Sequence, residues 1–161
     1  MSVTMSQAVA AVKSMLENRE WKYDFLEDKN VFLVRFNLKS KLGSSKTFIR
    51  VRPRNDASLC HSIVSYTYPE LKADDSCMAQ ICEYITRANY GLIHGNFELD
   101  HSDGEIRYKV ALDCWESIPS MSALSDLVGI PVGMLDKYGD GLLGVSMGFL
   151  DAKTAVEKAE A

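Results

Sequence analysis

The chain has 161 residues, of which 47% are hydrophobic and 25% charged, an ordinary globular balance that fits one domain over residues 1–161 and buries a core without staples. A net charge of −4 and a pI of about 5.4 argue against non-specific nucleic-acid binding and leave only a local basic patch to hold phosphate. No segment reaches the ~18 apolar residues of a membrane span. The N-terminal "MSVTMSQAVAAVKSML" has no basic n-region and reads as an amphipathic helix, not a signal peptide.

In chain order, Val9, Val12 and Leu16 recur at helical spacing, so a first helix is expected over about residues 6–18, with Ser6 as its cap. In "WKYDFLEDKNVFLVRFNL", Trp21, Tyr23 and Phe25 alternate with polar residues, as do Phe32, Val34 and Phe36. Two half-buried strands follow. With Lys29-Asn30 as the turn, Phe25 faces Val34, Tyr23 faces Phe36 and Asp24 faces Arg35. "KSKLGSSK" is a loop, "TFIRVRP" a third strand ended by Pro53, and "CHSIVSYTYP" a fourth.

"ADDSCMAQICEYITRANYG" is a second helix, capped by Asp75 or Ser76 and ended by Gly91. Its apolar residues cover an arc of about 160° at ~100° per residue, wider than one core-facing stripe needs. The arc is either one broad internal contact or a core contact plus a homodimer interface through Met78, Ile81, Cys82 and Ile85. A hairpin follows. With Asp103-Gly104 as a two-residue type I′ turn, Leu99 faces Tyr108, Phe97 faces Val110, Asp100 faces Arg107 and Glu98 faces Lys109. Each such pair contributes roughly 0.2–1 kcal/mol. After Pro119, Ser120 or Ser122 caps a helix that Pro131 kinks or restarts and that Gly139 and Gly141 break. The apolar, Gly-rich "GLLGVSMGFL" is expected to be buried, and Asp151 caps a last short helix.

No chemistry emerges from these segments. His94, His101 and His61 stand apart from any Cys/His cluster or H-E-x-x-H pattern, so no metal site is expected. "DHSDGE" fails as a calcium loop because the twelfth position from Asp100 is Ala111. No G-x-S-x-G or phosphate loop occurs. Cys77 and Cys82 lie on the apolar arc, and with Cys60 and Cys114 they read as thiols of a reducing, cytoplasmic compartment. No cofactor is expected. Arg50, Arg52 and Arg54 fall on one face of the third strand, where they either contact an anion or acidic partner or form a solvated outer face. Trp21, Tyr23, Phe25, Tyr66 and Tyr68 are the aromatic groups available as surface anchors.

The block "ICEYITRANYGLIHGNFELDHSDGEIRYKVALDC", with the later "LDKYGDGLLGVSMG", resembles the YbjN family of bacterial proteins, labelled sensory transduction regulators. The resemblance implies a fold like that of type III secretion chaperones: a twisted antiparallel sheet packed with helices, often dimeric. It implies no catalytic residue. With the segments read above, the expected fold is α+β in the order helix, four strands, helix, two strands, helices. The resulting expectation is a non-enzymatic regulator or chaperone-like binder of another polypeptide, with a small-molecule or anion sensor using the arginine face as the alternative.

Overall fold

The computed structural model describes residues Met1–Ala161. Strand-like alternation and helical spacing resolve into α1 (Met5–Asn18), β1 (Tyr23–Leu26), β2 (Val31–Asn37), β3 (Ser44–Pro53), β4 (Cys60–Pro69), α2 (Met78–Asn89), β5 (Asn96–Leu99), β6 (Ile106–Asp113), α3 (Met121–Ser146) and α4 (Ala152–Glu160). The strands form one open antiparallel sheet in the order β1-β2-β3-β4-β6-β5. The fold is α+β, in the element order the sequence implied. Apolar residues on alternate strand positions, Phe32, Val34, Ile49, Val51, Ile63 and Tyr108 among them, are buried beneath the helices in one core. The intervening positions form the opposite, uncovered face.

Both hairpins keep the faces that were expected, but each is shifted by two residues. Tyr23 pairs with Val34 and Phe25 with Phe32. Likewise Phe97 pairs with Tyr108 and Leu99 with Ile106. A two-residue shift preserves the side-chain alternation, which is why both apolar faces survive it. The cause is common to both loops. Asn30 (φ 52°) and Gly104 (φ 75°) supply the left-handed residue, but each occupies the last place of a four-residue loop, not the centre of a two-residue turn. The Asn30 amide donates to the Glu27 carbonyl, and the Gly104 amide to the Asp100 carbonyl. Longer loops of this kind are built around a type I turn. The ion pair between Arg35 and Asp24 still forms, diagonally, at 2.8 Å.

Helix ends differ from expectation by small amounts. Thr4, not Ser6, caps α1, in a reciprocal capping box with Gln7. The turn into α2 is held by Asp74, whose carboxylate accepts from the Ser76 and Cys77 amides. Ser120 and Asp151 cap α3 and α4 as expected. The larger correction concerns α3, which runs unbroken through Pro131, Gly139 and Gly141. These two glycines are close-approach positions. A side chain at Gly139 would meet Ser40 Oγ at 2.5 Å, and one at Gly141 would overlap the Tyr84 ring. Tyr84 is fully buried there and donates to the Tyr138 carbonyl at 2.8 Å. Past the helix end, Met147 and Phe149 are 57% and 75% exposed, so the last part of "GLLGVSMGFL" is not core.

Candidate functional site on the uncovered sheet face

The register of β2, β3, β4 and β6 sets the uncovered face out in rows. Arg35, Lys46 and Tyr68 lie side by side across three strands. The next row holds Leu33, Phe48, Tyr66 and Lys109, and the one after it Val31, Arg50, Val64 and Ala111. Beyond it, Arg52 pairs with Ser62. A groove of about 690 Å³ runs over this surface, lined by Lys46, Phe48, Arg50, Tyr66, Tyr68 and Arg107 among others. Phe48 and Tyr68 meet edge to face at 5.8 Å, and the Arg107 guanidinium lies over the Tyr66 ring at 4.5 Å.

The cations of this face fall into two sets. Arg107 donates to Glu98 at 2.5 Å and to the Tyr68 hydroxyl at 3.3 Å, while Lys109 takes the other Glu98 oxygen. By contrast, Lys46, Arg50 and Arg52 form no ion pair. Burial raises the Glu98 carboxyl, but hydrogen bonds and charge from Lys109 and Arg107 outweigh it and hold the group below its usual pKa. A depressed folded-state pKa stabilises the fold above the unfolded carboxyl value of about 4.3 and loses that contribution as pH falls through the folded one. Glu98→Gln should therefore cost about 1 kcal/mol at neutral pH. Its melting midpoint should also fall less steeply than the wild type's below about pH 5. Parallel acid profiles for the two proteins would remove Glu98 from this role.

The residues singled out in the sequence are only partly brought together. Arg50 and Arg52 share the uncovered face, but Arg54 does not. The β3–β4 register shifts between Arg52 and Pro53, and Arg54 turns back as a clamp. Its Nε donates to the Cys60 carbonyl at 2.8 Å, it also bonds the Trp115 carbonyl, and its guanidinium lies 4.0 Å from the Trp115 ring centroid. On α2, Ile81 and Ile85 are buried in the protomer's own core, whereas Met78 and Cys82 are half-buried. Of the aromatic anchors, Trp21, Tyr23 and Phe25 pack against the core, so only Tyr66 and Tyr68 belong to the uncovered face. Lys46, Phe48 and Arg107 were missed in the sequence. Alternation would have placed Lys46 and Phe48 with Arg50, but Arg107 joins them only through the non-local β4–β6 pairing.

The histidines are exposed and separate, and no three His, Cys, Asp or Glu side chains are grouped to hold a metal ion. Burial, with a smaller contribution from Cys114, pushes the Cys60 thiol up to about 12, which makes it a poor nucleophile. No helix is long and apolar enough to cross a membrane.

A one-sided open sheet, helices on one face and an aromatic, cationic groove on the other, defines an α+β protein whose accessible feature is a surface. The chain belongs to the YbjN family, whose model, described as "Putative bacterial sensory transduction regulator", matches residues 8–143. No curated protein matches the sequence.

Proposed function

We propose that this YbjN-family protein is a non-enzymatic regulator that binds another polypeptide on the uncovered face of its sheet. The observation that carries the reading is the half-exposed aromatic cluster of Phe48, Tyr66 and Tyr68 beside the unpaired cations Lys46 and Arg50. Aromatic groups and charge held ready on a rigid sheet are typical anchors for a protein partner. The reading takes residues 1–161 as a single unit. All four cysteines are free, which fits a reducing, cytoplasmic setting. It also takes the protein as a homodimer; the α2 contact then uses Met78 and Cys82, because Ile81 and Ile85 are occupied internally.

Amide hydrogen exchange with and without a captured native partner tests the reading. Protection is expected along β3 and β4 with the partner chemically unchanged. Protection confined to the helices, or turnover of the partner, would overturn it. The lack of ion pairs at Lys46, Arg50 and Arg52 also favours a second reading, an anion-sensing module. That reading expects a small anion retained in native mass spectra and lost on Arg50→Ala.

A further inference from the structure

The uncovered face is an exception to the charge of the molecule. The protein is net acidic, yet three cations on β3 have no partner. Arg35 and Lys46 are direct cross-strand neighbours, an arrangement of like charges that costs stability. Only Arg35 is neutralised, by Asp24. Glu98 is shared by Arg107 and Lys109 and offsets only one of their two charges, while Asp103 neutralises Lys72 at 3.0 Å. The cations with no acidic partner at all are thus Lys46, Arg50 and Arg52, and the surplus charge of the Arg107–Lys109 pair adds to theirs. Two carboxylates line the groove, Glu70 and Glu105; Glu70 follows Pro69, the partner of Ser45, and so lies at the Lys46 end, but neither carboxylate forms an ion pair with Lys46.

The spacing along β3 is specific. Lys46, Phe48 and Arg50 occupy alternate positions of one strand, so cation, aromatic and cation point to the same side. An extended chain repeats its side-chain direction with the same period of two, at about 3.3 Å per residue. We infer that the groove takes an extended acidic peptide segment of the pattern acid-x-apolar-x-acid, its carboxylates on Lys46 and Arg50 and its apolar side chain on Phe48. The inference rests on the polypeptide-binding reading and adds the chemistry and register of the bound segment. Single-stranded nucleic acid would offer the same negative charge. Base stacking, however, needs open ring faces, and the Arg107 guanidinium already occupies one face of Tyr66.

Fluorescence anisotropy with labelled synthetic peptides tests this on the full chain. The probe is Thr-Glu-Thr-Leu-Thr-Glu-Thr. Its controls are the same composition scrambled to Thr-Glu-Glu-Thr-Thr-Leu-Thr, the charge-reversed Thr-Lys-Thr-Leu-Thr-Lys-Thr, and an oligothymidylate. The first peptide should bind about tenfold tighter than the scramble. In the double variant Lys46→Glu/Arg50→Glu, whose exposed positions leave the core untouched, its affinity should fall at least about tenfold and the lysine peptide should bind instead. Equal binding of ordered and scrambled peptides overturns the register while leaving polypeptide binding intact. Binding of the oligothymidylate but of no peptide overturns the ligand class. If no peptide binds although a captured native partner protects β3 and β4, the acidic pattern is wrong and the docking face is right. If that protection is absent too, the polypeptide-binding reading itself falls.

Discussion

Replacing Gly104 with valine should lower stability by about 3 kcal/mol and the melting midpoint by roughly 10 °C. Two effects combine. Gly104 has φ 75°, a conformation that a β-branched residue resists. Its missing side chain also makes room for the segment before α2. A Cβ there would overlap the Ala73 carbonyl, while the Ala73 amide donates to the Gly104 carbonyl at 2.8 Å. The loop is stitched to Lys72 and Ala73 on both sides, through the Lys72–Glu105 bridge and the ion pair of Lys72 with Asp103. Gly104→Asn separates the two effects. Asparagine tolerates the left-handed region but still brings a Cβ, so it should be nearly as damaging as valine. Wild-type melting of Gly104→Asn would show that the close approach to Ala73 is not limiting.

That site also shows how far the sequence could be read. Alternation in β1, β2, β5 and β6 fixed which side chains face the helices, because period two survives any even shift. It could not fix the pairing, because register depends on loop length. Asn30 and Asp103-Gly104 are compatible with both a two-residue turn and the end of a longer one. The continuity of α3 was hidden for a similar reason. Gly139 and Gly141 read locally as breakers, whereas their cause is tertiary: the space that Ser40 and Tyr84 occupy.

The candidate site was less legible than the fold. Arg50 and Arg52 were visible as a stripe, and Tyr66 and Tyr68 as aromatic strand residues. Alternation along β3 could have added Lys46 and Phe48, but nothing local showed that Arg107 joins them, or that Glu98 pairs with Arg107 and Lys109 while leaving Lys46 and Arg50 free. Nor did it show that Arg54 leaves the stripe, which follows from the β-bulge after Arg52. The block that carries the family resemblance has a different content. Asn89, Gly95 and Gly104 shape the corner between α2, β5 and β6, and none of them lies on the groove. The same block also supplies Glu105 and Arg107 to the groove, but Lys46, Phe48, Arg50, Tyr66 and Tyr68 lie outside it, which is why recognition of the fold ran ahead of recognition of the site.

Asn89 is the residue of that block whose loss should be most informative. Its side-chain carbonyl accepts from the Phe97 amide at 2.7 Å, and its amide donates to the Phe97 carbonyl at 3.0 Å. The Phe97 N–H is thereby given to Asn89 and not to β6, so these groups face the outer edge of β5, the last strand of the sheet. One side chain does there what a neighbouring strand would do, and closes an edge that would otherwise be a template for pairing. The neighbouring geometry is fixed as well. Gly95 (φ 77°) has no room for a side chain beside the Lys109 carbonyl, and the Tyr108 hydroxyl donates to the His94 carbonyl at 2.6 Å. Asn89→Ala should cost about 2 kcal/mol, the penalty of leaving the partly buried Phe97 N–H without a partner and its carbonyl with only the Asn96 side-chain amide at 3.1 Å. It should also speed exchange of the Phe97 amide and give concentration-dependent association through the opened edge. Asn89→Asp keeps an acceptor for the Phe97 amide but sets a carboxylate against the Phe97 carbonyl, so it should protect that amide yet still lose stability. If Asn89→Ala leaves Phe97 exchange and the monomer–oligomer balance unchanged, the edge of β5 is guarded by something other than this amide.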